Sequence, residues 1–307
     1  MNGMTPPTKT KTPESHTNVP TVLARQTAEL PGGPVAYVDQ GGRSAPAALF
    51  VHGVLVNADL WRNVIWDVAD VRRCIAPDLT GHGGTPIPQE GAPGDDLTLH
   101  GHAARLDQLC AHLGLDQVDV VANDTGGAVA QVFAARYPGR IRTLTLTNCD
   151  CQDNFPPELF EPFVAMAEAG ELAPLVAAMA GDFTLARSEA GYGQGYATAA
   201  ELSDELLTSY TGSFAADNGK GLERFLVAPK AEELVAVAPL LAELQVPVQV
   251  AWGTADVFFP PAWAERMREL LPSTERVTLV PDAMLFWPDE RAADLVPLLH
   301  DFWAAHP

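Results

Sequence analysis

Short apolar runs rich in β-branched residues recur along the chain with helical patterns between them, and this alternation limits the fold more than any other feature. The runs are Val35–Val38, Ala48–Val51, Arg73–Ala76, Val118–Ala122, Thr143–Thr147, Val248–Trp252 and Val277–Val280. Between them Ala103–Leu113 and Ala128–Tyr137 read as crossover helices, and Pro288–Trp303 reads as a closing helix. Strands alternating with helices predict an α/β protein on an open, mostly parallel sheet. A chain of 307 residues with 47% hydrophobic content can bury such a core.

One stretch breaks the alternation. From about Cys151 to Leu244 no strand pattern occurs, only apolar residues at helical spacing interrupted by Gly and Pro. This reads as a helical insertion over the carboxyl edge of the sheet, where α/β proteins bind ligands and where a lid is useful. It holds Tyr192, Tyr196 and Tyr210 and a glycine-rich break, Gly191-Tyr192-Gly193-Gln194-Gly195-Tyr196. The expected organisation is a disordered tail over residues 1–22, a core from 23–150 and 245–307, and a helical cap over 151–244.

Charge excludes two classes of partner. Lys and Arg total 19 against 39 Asp and Glu, a net charge of -20, so the field of the chain repels phosphate backbones and anionic lipid. Neither nucleic acid nor a membrane is expected as a partner. The N-terminal residues lack the apolar run of a secretory signal, which makes the cytoplasm the expected location. Cys149 and Cys151 have no second Cys or Cys/His pair to complete a zinc site. No metal and no cofactor are expected.

The chemistry concentrates at Val120-Val121-Ala122-Asn123-Asp124-Thr125-Gly126-Gly127, where a strand runs straight into a helix. Small residues at two positions on either side of Asp124 match a nucleophile elbow, a turn too tight for bulky neighbours. Helix capping by Asp124 is the competing reading. His52-Gly53-Val54 follows one apolar strand, Asp78-Leu79-Thr80-Gly81-His82-Gly83 follows the next, and Trp252-Gly253-Thr254-Ala255-Asp256 follows a later one. In that order, with an Asp elbow and a helical insertion, roughly residues 30–305 resemble the α/β-hydrolase superfamily. The resemblance is to its Asp-nucleophile branch of epoxide hydrolases and haloalkane dehalogenases.

That resemblance implies catalytic roles for Asp124 as nucleophile and Asp256 as the carboxylate of a triad, with the backbone N–H groups of Val54 and Thr125 as the oxyanion hole. His52, Tyr210 and Trp287 are the candidate substrate-binding residues, although the loop of His52 equally suits packing and Tyr210 equally suits a core position. Trp61, Trp66, Phe258, Phe259, Phe286 and Trp287 sit on loops or strand ends expected near the pocket, which favours a small apolar ligand. His100 and His102, at the start of a predicted helix, read as a solvated helix end. Asp150 offers a second carboxylate near the elbow or simple turn chemistry.

The sequence departs from the family where a histidine is expected, after the last strand. Leu285 occupies that position, and no histidine lies between residues 113 and 299. An alkyl-enzyme ester formed at Asp124 would then hydrolyse slowly, since general-base help is worth about 10²–10⁴-fold. Dehalogenases of this type usually place Trp after the nucleophile and Asn after His-Gly, where Thr125 and Val54 stand here. The leading expectation is epoxide- or ester-type hydrolysis with an incomplete triad. The alternatives are lyase, isomerase or cyclase chemistry with Asp124 as general base, and a binding protein without turnover.

Overall fold

The structure is a computed structural model and describes residues 19–307. The tail expected over 1–22 lies outside the described residues except for 19–22.

Eight strands form one sheet in the order β1-β2-β4-β3-β5-β6-β7-β8. They are β1 Gln26–Leu30, β2 Gly33–Gln40, β3 Ala47–Val51, β4 Arg73–Pro77, β5 Val118–Asp124, β6 Ile141–Cys149, β7 Val248–Gly253 and β8 Thr274–Val280. β2 pairs antiparallel with both β1 and β4, and every other pairing is parallel. All positions of β3, β4, β5 and β7 are buried, because helices cover both faces, which is why they read as continuous apolar runs. β1 was not expected. It is an edge strand with only Ala28 and Leu30 buried, too short a pattern to stand out.

Helices α1 Arg62–Val68, α2 Leu99–His112 and α3 Thr125–Arg136 flank the first half of the sheet. α2 starts where the Thr98 side chain accepts from Gly101 N–H. α3 is buried from Thr125 to Ala134 as it packs beneath β5 and β6.

Between β6 and β7 run α4 Glu161–Ala169, α5 Ala173–Gly181, α6 Phe183–Arg187, α7 Asp204–Ala216, α8 Lys220–Val227 and α9 Ala231–Ala242. The only strand-like feature there among the described residues is one bridge between Cys151 and Asn154. Then come α10 Ala262–Leu270, α11 Trp287–Glu290 and α12 Ala292–Ala305. The single closing helix expected over 288–303 is thus two, broken at Arg291, whose backbone (φ -126, ψ 39) leaves the helical region. Among the described residues no single helix is long and apolar enough to cross a membrane.

This topology brings the carboxyl ends of β3, β5, β6 and β7 side by side. Asp124 pairs in register with Cys149, so Asp150 follows directly on the neighbouring strand.

Candidate active site

Asp124 joins β5 to α3 with φ 55 and ψ -136, a conformation that ordinary residues avoid and that throws its side chain upward. The turn is closed on every side. A Cβ on Gly126 would lie 2.3 Å from the His52 carbonyl oxygen, and one on Gly53 would lie 2.1 Å from Asp124 Oδ2. Asp124 makes no capping bond to α3, so helix capping does not explain it. Its Oδ2 instead accepts from Val54 N–H at 2.9 Å, and the Thr125 backbone N–H also supports the carboxylate.

Burial pushes the Asp124 carboxyl up to about 7, against the pull of the Val54 N–H and with a further push from Asp256. Asp150 is raised well above the carboxylate range by burial and then by Asp124, against the pull of the Thr125 hydroxyl. Asp256 is raised to about 6 by burial, offset by the backbone N–H groups of Phe258 and Phe259, which donate to its Oδ1 at 2.8 and 3.3 Å. The Asn148 side chain also favours the charged form of Asp256. Three carboxyl groups thus share one poorly solvated region.

Above them lies a cavity of about 410 Å³, within the usual range for small-molecule sites. Its floor is Val54, Asp124, Thr125 and Asp150. Its walls come largely from the insertion, with Phe160, Phe163, Leu175 and Met179 among them, and from Phe258, Leu285 and Phe286. Glu168, Glu189, Lys230 and Glu232 supply its charged lining. Among the described residues no cluster of three or more His, Cys, Asp or Glu could hold a metal ion.

None of the three expected substrate-binding residues lines this cavity. His52 uses both ring nitrogens on the backbone: Nδ1 meets Gly53 O at 2.7 Å and Nε2 accepts from Leu79 N–H at 2.8 Å. It is a fully buried post for the loops, its pKa lowered by burial to about 3. Tyr210 points its hydroxyl at Tyr196 Oη, 2.9 Å away, inside the seam between insertion and core. Trp287 donates its indole N–H to Asn148 at 3.0 Å. Of the expected aromatic set, Phe258 and Phe286 reach the cavity, whereas Trp61, Phe259 and Trp287 are buried away from it. His102 is also no solvated helix end, being buried with its ring 5.1 Å from that of Phe225.

The insertion's wall residues escaped the sequence reading, because helical spacing locates an apolar face without saying what it covers. Phe160 and Phe163, flanking Pro162, were the available signal.

Comparison with known proteins fits this geometry. The family described as the alpha/beta hydrolase fold matches residues 46–284. A haloalkane dehalogenase of Mesorhizobium japonicum is 38% identical over 124 residues, covering 40% of this chain and 38% of that protein. A cis-3-alkyl-4-alkyloxetan-2-one decarboxylase of Xanthomonas campestris pv. campestris is 25% identical over 295 residues, covering 90% of this chain and 94% of that protein. The solved structure of the epoxide hydrolase CorEH shares the fold, with a TM-score of 0.75 and 22% identity over 92% of this chain and 99% of that one. The chain spans well under half the length of the dehalogenases it matches, 38% and 36%. Since the family match takes in most of the sequence, from the strand before His52 to the loop after β8, this protein belongs to the alpha/beta hydrolase fold family and is an enzyme related in sequence to haloalkane dehalogenases.

Proposed function

We propose that Asp124 is a nucleophile that attacks an electrophilic carbon of a small apolar substrate and forms a covalent intermediate, an ester from an alkyl carbon or a mixed anhydride from an acyl carbon. The observation that carries this reading is the strained Asp124 turn, which holds Oδ2 on Val54 N–H beneath an apolar cavity. With one oxygen fixed by backbone donors the other is free to attack, and charge that develops on Oδ2 in a later tetrahedral intermediate already has its donors.

An ester- or lactone-type electrophile fits better than an epoxide. Of the insertion's tyrosines only Tyr192 lines the cavity, and its hydroxyl is spent on Leu55 O at 2.7 Å, which leaves no phenol to protonate an opening epoxide. Release by water is the weaker half of the cycle. Leu285 lines the cavity where the family resemblance places a histidine, so Asp256 has no imidazole to orient. Asp256, raised only to about 6, is the carboxylate left to accept a proton.

The histidine-free wall favours a second reading, a decarboxylating elimination. Asp124 opens a four-membered lactone by displacing its ring oxygen from the alkyl carbon, which frees a carboxylate. Loss of CO2 then sends its electron pair into a new C=C bond as the bond to Asp124 breaks, and the Asp124 carboxylate returns. This cycle consumes neither water nor base. The Xanthomonas relative, matched over nearly its whole length, is named for an oxetan-2-one substrate.

The test is incubation with apolar p-nitrophenyl esters and a dialkyl oxetan-2-one in ¹⁸O-water, followed by intact-protein mass spectrometry and product analysis. An adduct on Asp124, lost in Asp124→Asn, is expected. Label in an acid product marks hydrolysis, whereas an unlabelled alkene marks elimination. If Asp124→Asn turns over normally, the nucleophile reading fails. Leu285→His should speed the decay of an accumulated ester.

A further inference from the structure

The glycine-rich break in the insertion has a place in this site. Tyr192 opens a short 3-10 turn, Tyr192–Gln194, and is 2% exposed. The glycines around it sit where side chains cannot. A Cβ on Gly191 would lie 2.4 Å from Ala186 O, one on Gly193 would lie 2.8 Å from the Ser188 backbone, and one on Gly195 would lie 2.5 Å from the Phe286 ring. Phe286 N–H also donates to Gly195 O at 2.8 Å. The segment is pressed between the insertion and the loop after β8, and its tyrosine projects toward the loop after β3. The Tyr192 ring lies 5.5 Å from that of Tyr210 and 6.4 Å from that of Tyr196.

What Tyr192 meets is Leu55, next in sequence to the Val54 donor. Leu55 has φ 64, the left-handed region that a branched, bulky residue enters only under constraint. The Tyr192 hydroxyl donates to the Leu55 carbonyl at 2.7 Å. Val54 N–H donates to Asp124 Oδ2 at 2.9 Å.

We propose that Tyr192 is a positioning residue for the oxyanion hole: by holding the Leu55 carbonyl it keeps the strained Val54-Leu55 turn in the one conformation that aims Val54 N–H at Asp124. The inference rests on the nucleophile reading above. It gives the insertion a second task besides walling the cavity, since an insertion that lifts away releases the donor along with the lid. A backbone donor that drifts costs the reaction in kcat, because the charge it serves grows in the transition state.

The readout is Asp124 itself. Its Val54 hydrogen bond is the main force opposing burial, so loosening that bond raises the Asp124 pKa from about 7. The titratable groups around Asp124 are Cys149 and Asp150 at the end of β6, Asp256 after β7, His52 after β3 and Tyr192. Tyr192→Phe alters only the last of these and keeps the ring in its packing.

Carboxyl-¹³C NMR titration of aspartate-labelled protein, with Asp124→Asn assigning the resonance, follows this directly. Tyr192→Phe should raise the Asp124 pKa by about one unit, the order of a single hydrogen-bond effect on a carboxylate. It should also slow the steady phase that follows the nitrophenolate burst from p-nitrophenyl hexanoate, the phase in which charge grows on Oδ2, by roughly 10-fold, less than the 10²–10³-fold of deleting an oxyanion donor. Leu55→Gly in the Tyr192→Phe background should recover both, because glycine adopts positive φ unaided.

An unshifted Asp124 resonance in Tyr192→Phe overturns the proposal. So does a shift that glycine at 55 does not reverse, which would assign Tyr192 to packing. A normal burst in Asp124→Asn removes the nucleophile reading itself, whatever the titration shows.

Discussion

Two buried groups of carboxylates lie on the same side of the sheet and are built to opposite rules. In one, Arg25 reaches Asp59 and Asp78, and backbone N–H groups and hydroxyls take up the remaining oxygens. Asp59 also accepts from Leu23 N–H and the Ser209 hydroxyl, and Asp78 from Ala58 N–H and Gly84 N–H. In the other, Asp124, Asp150 and Asp256 have no cation in contact among the described residues, and their few donors are backbone N–H groups and uncharged side chains. A buried charge left this way is costly, and a fold keeps it only where the cost has a use. The paired group therefore reads as a clasp for the N-terminal segment and the loops after β3 and β4, and the unpaired group as the machinery proposed above.

Asp124→Asn is the sharpest way to separate them, with an expected activity loss of about 10⁴-fold or more, of the kind seen when a nucleophile is removed, and a melting temperature that holds or rises because the uncompensated charge is gone. Arg25→Met tests the other group. It strands two buried carboxylates and should cost about 3 kcal/mol in denaturant titration, near the low end for a broken buried pair because the Arg25 side chain is 16% exposed. An Arg25→Met protein as stable as the parent would end the contrast.

If Asp124 attacks as proposed, activity should fall about tenfold per pH unit below about 7, the value to which burial pushes its carboxyl, because the attacking group must be ionised. A rate profile flat down to pH 5 would mean that Asp124 does not act as an anion. The smallest effect concerns Asp150. Its folded pKa is raised, so its contribution to stability is complete below its unfolded value near ~3.9 and is lost as pH rises toward the folded value. Asp150→Asn should therefore lose fewer degrees of melting temperature between pH 5 and pH 8 than the parent does.

How much of this could be read beforehand depended on whether backbone or side-chain direction decided the matter. The strands from β2 to β8 were legible because burial on both faces writes itself as an apolar run, and the elbow was legible because only small residues fit beside Asp124. Asp150 could be placed near Asp124, since both end neighbouring strands. The orientation of Trp287, Tyr210 and His52 could not be read. Each lies at a plausible rim position, yet Asn148, Tyr196 and the Leu79 N–H, remote in sequence, turn each of them aside. Tyr192 and Tyr196 look alike in sequence, yet the first meets the Leu55 carbonyl after β3 and the second Asp289 of α11.

The glycines of the floor also bear on how such a catalyst can be diversified. At Gly53 and Gly126 even the first carbon of a side chain collides with Asp124 or with the backbone at the end of β3, so variants there should be inactive. Phe163, Leu175 and Met179 face the same cavity from helices whose backbone does not touch the reacting carboxylate. New substrates are to be sought by randomising those helical positions, with the floor carried over untouched.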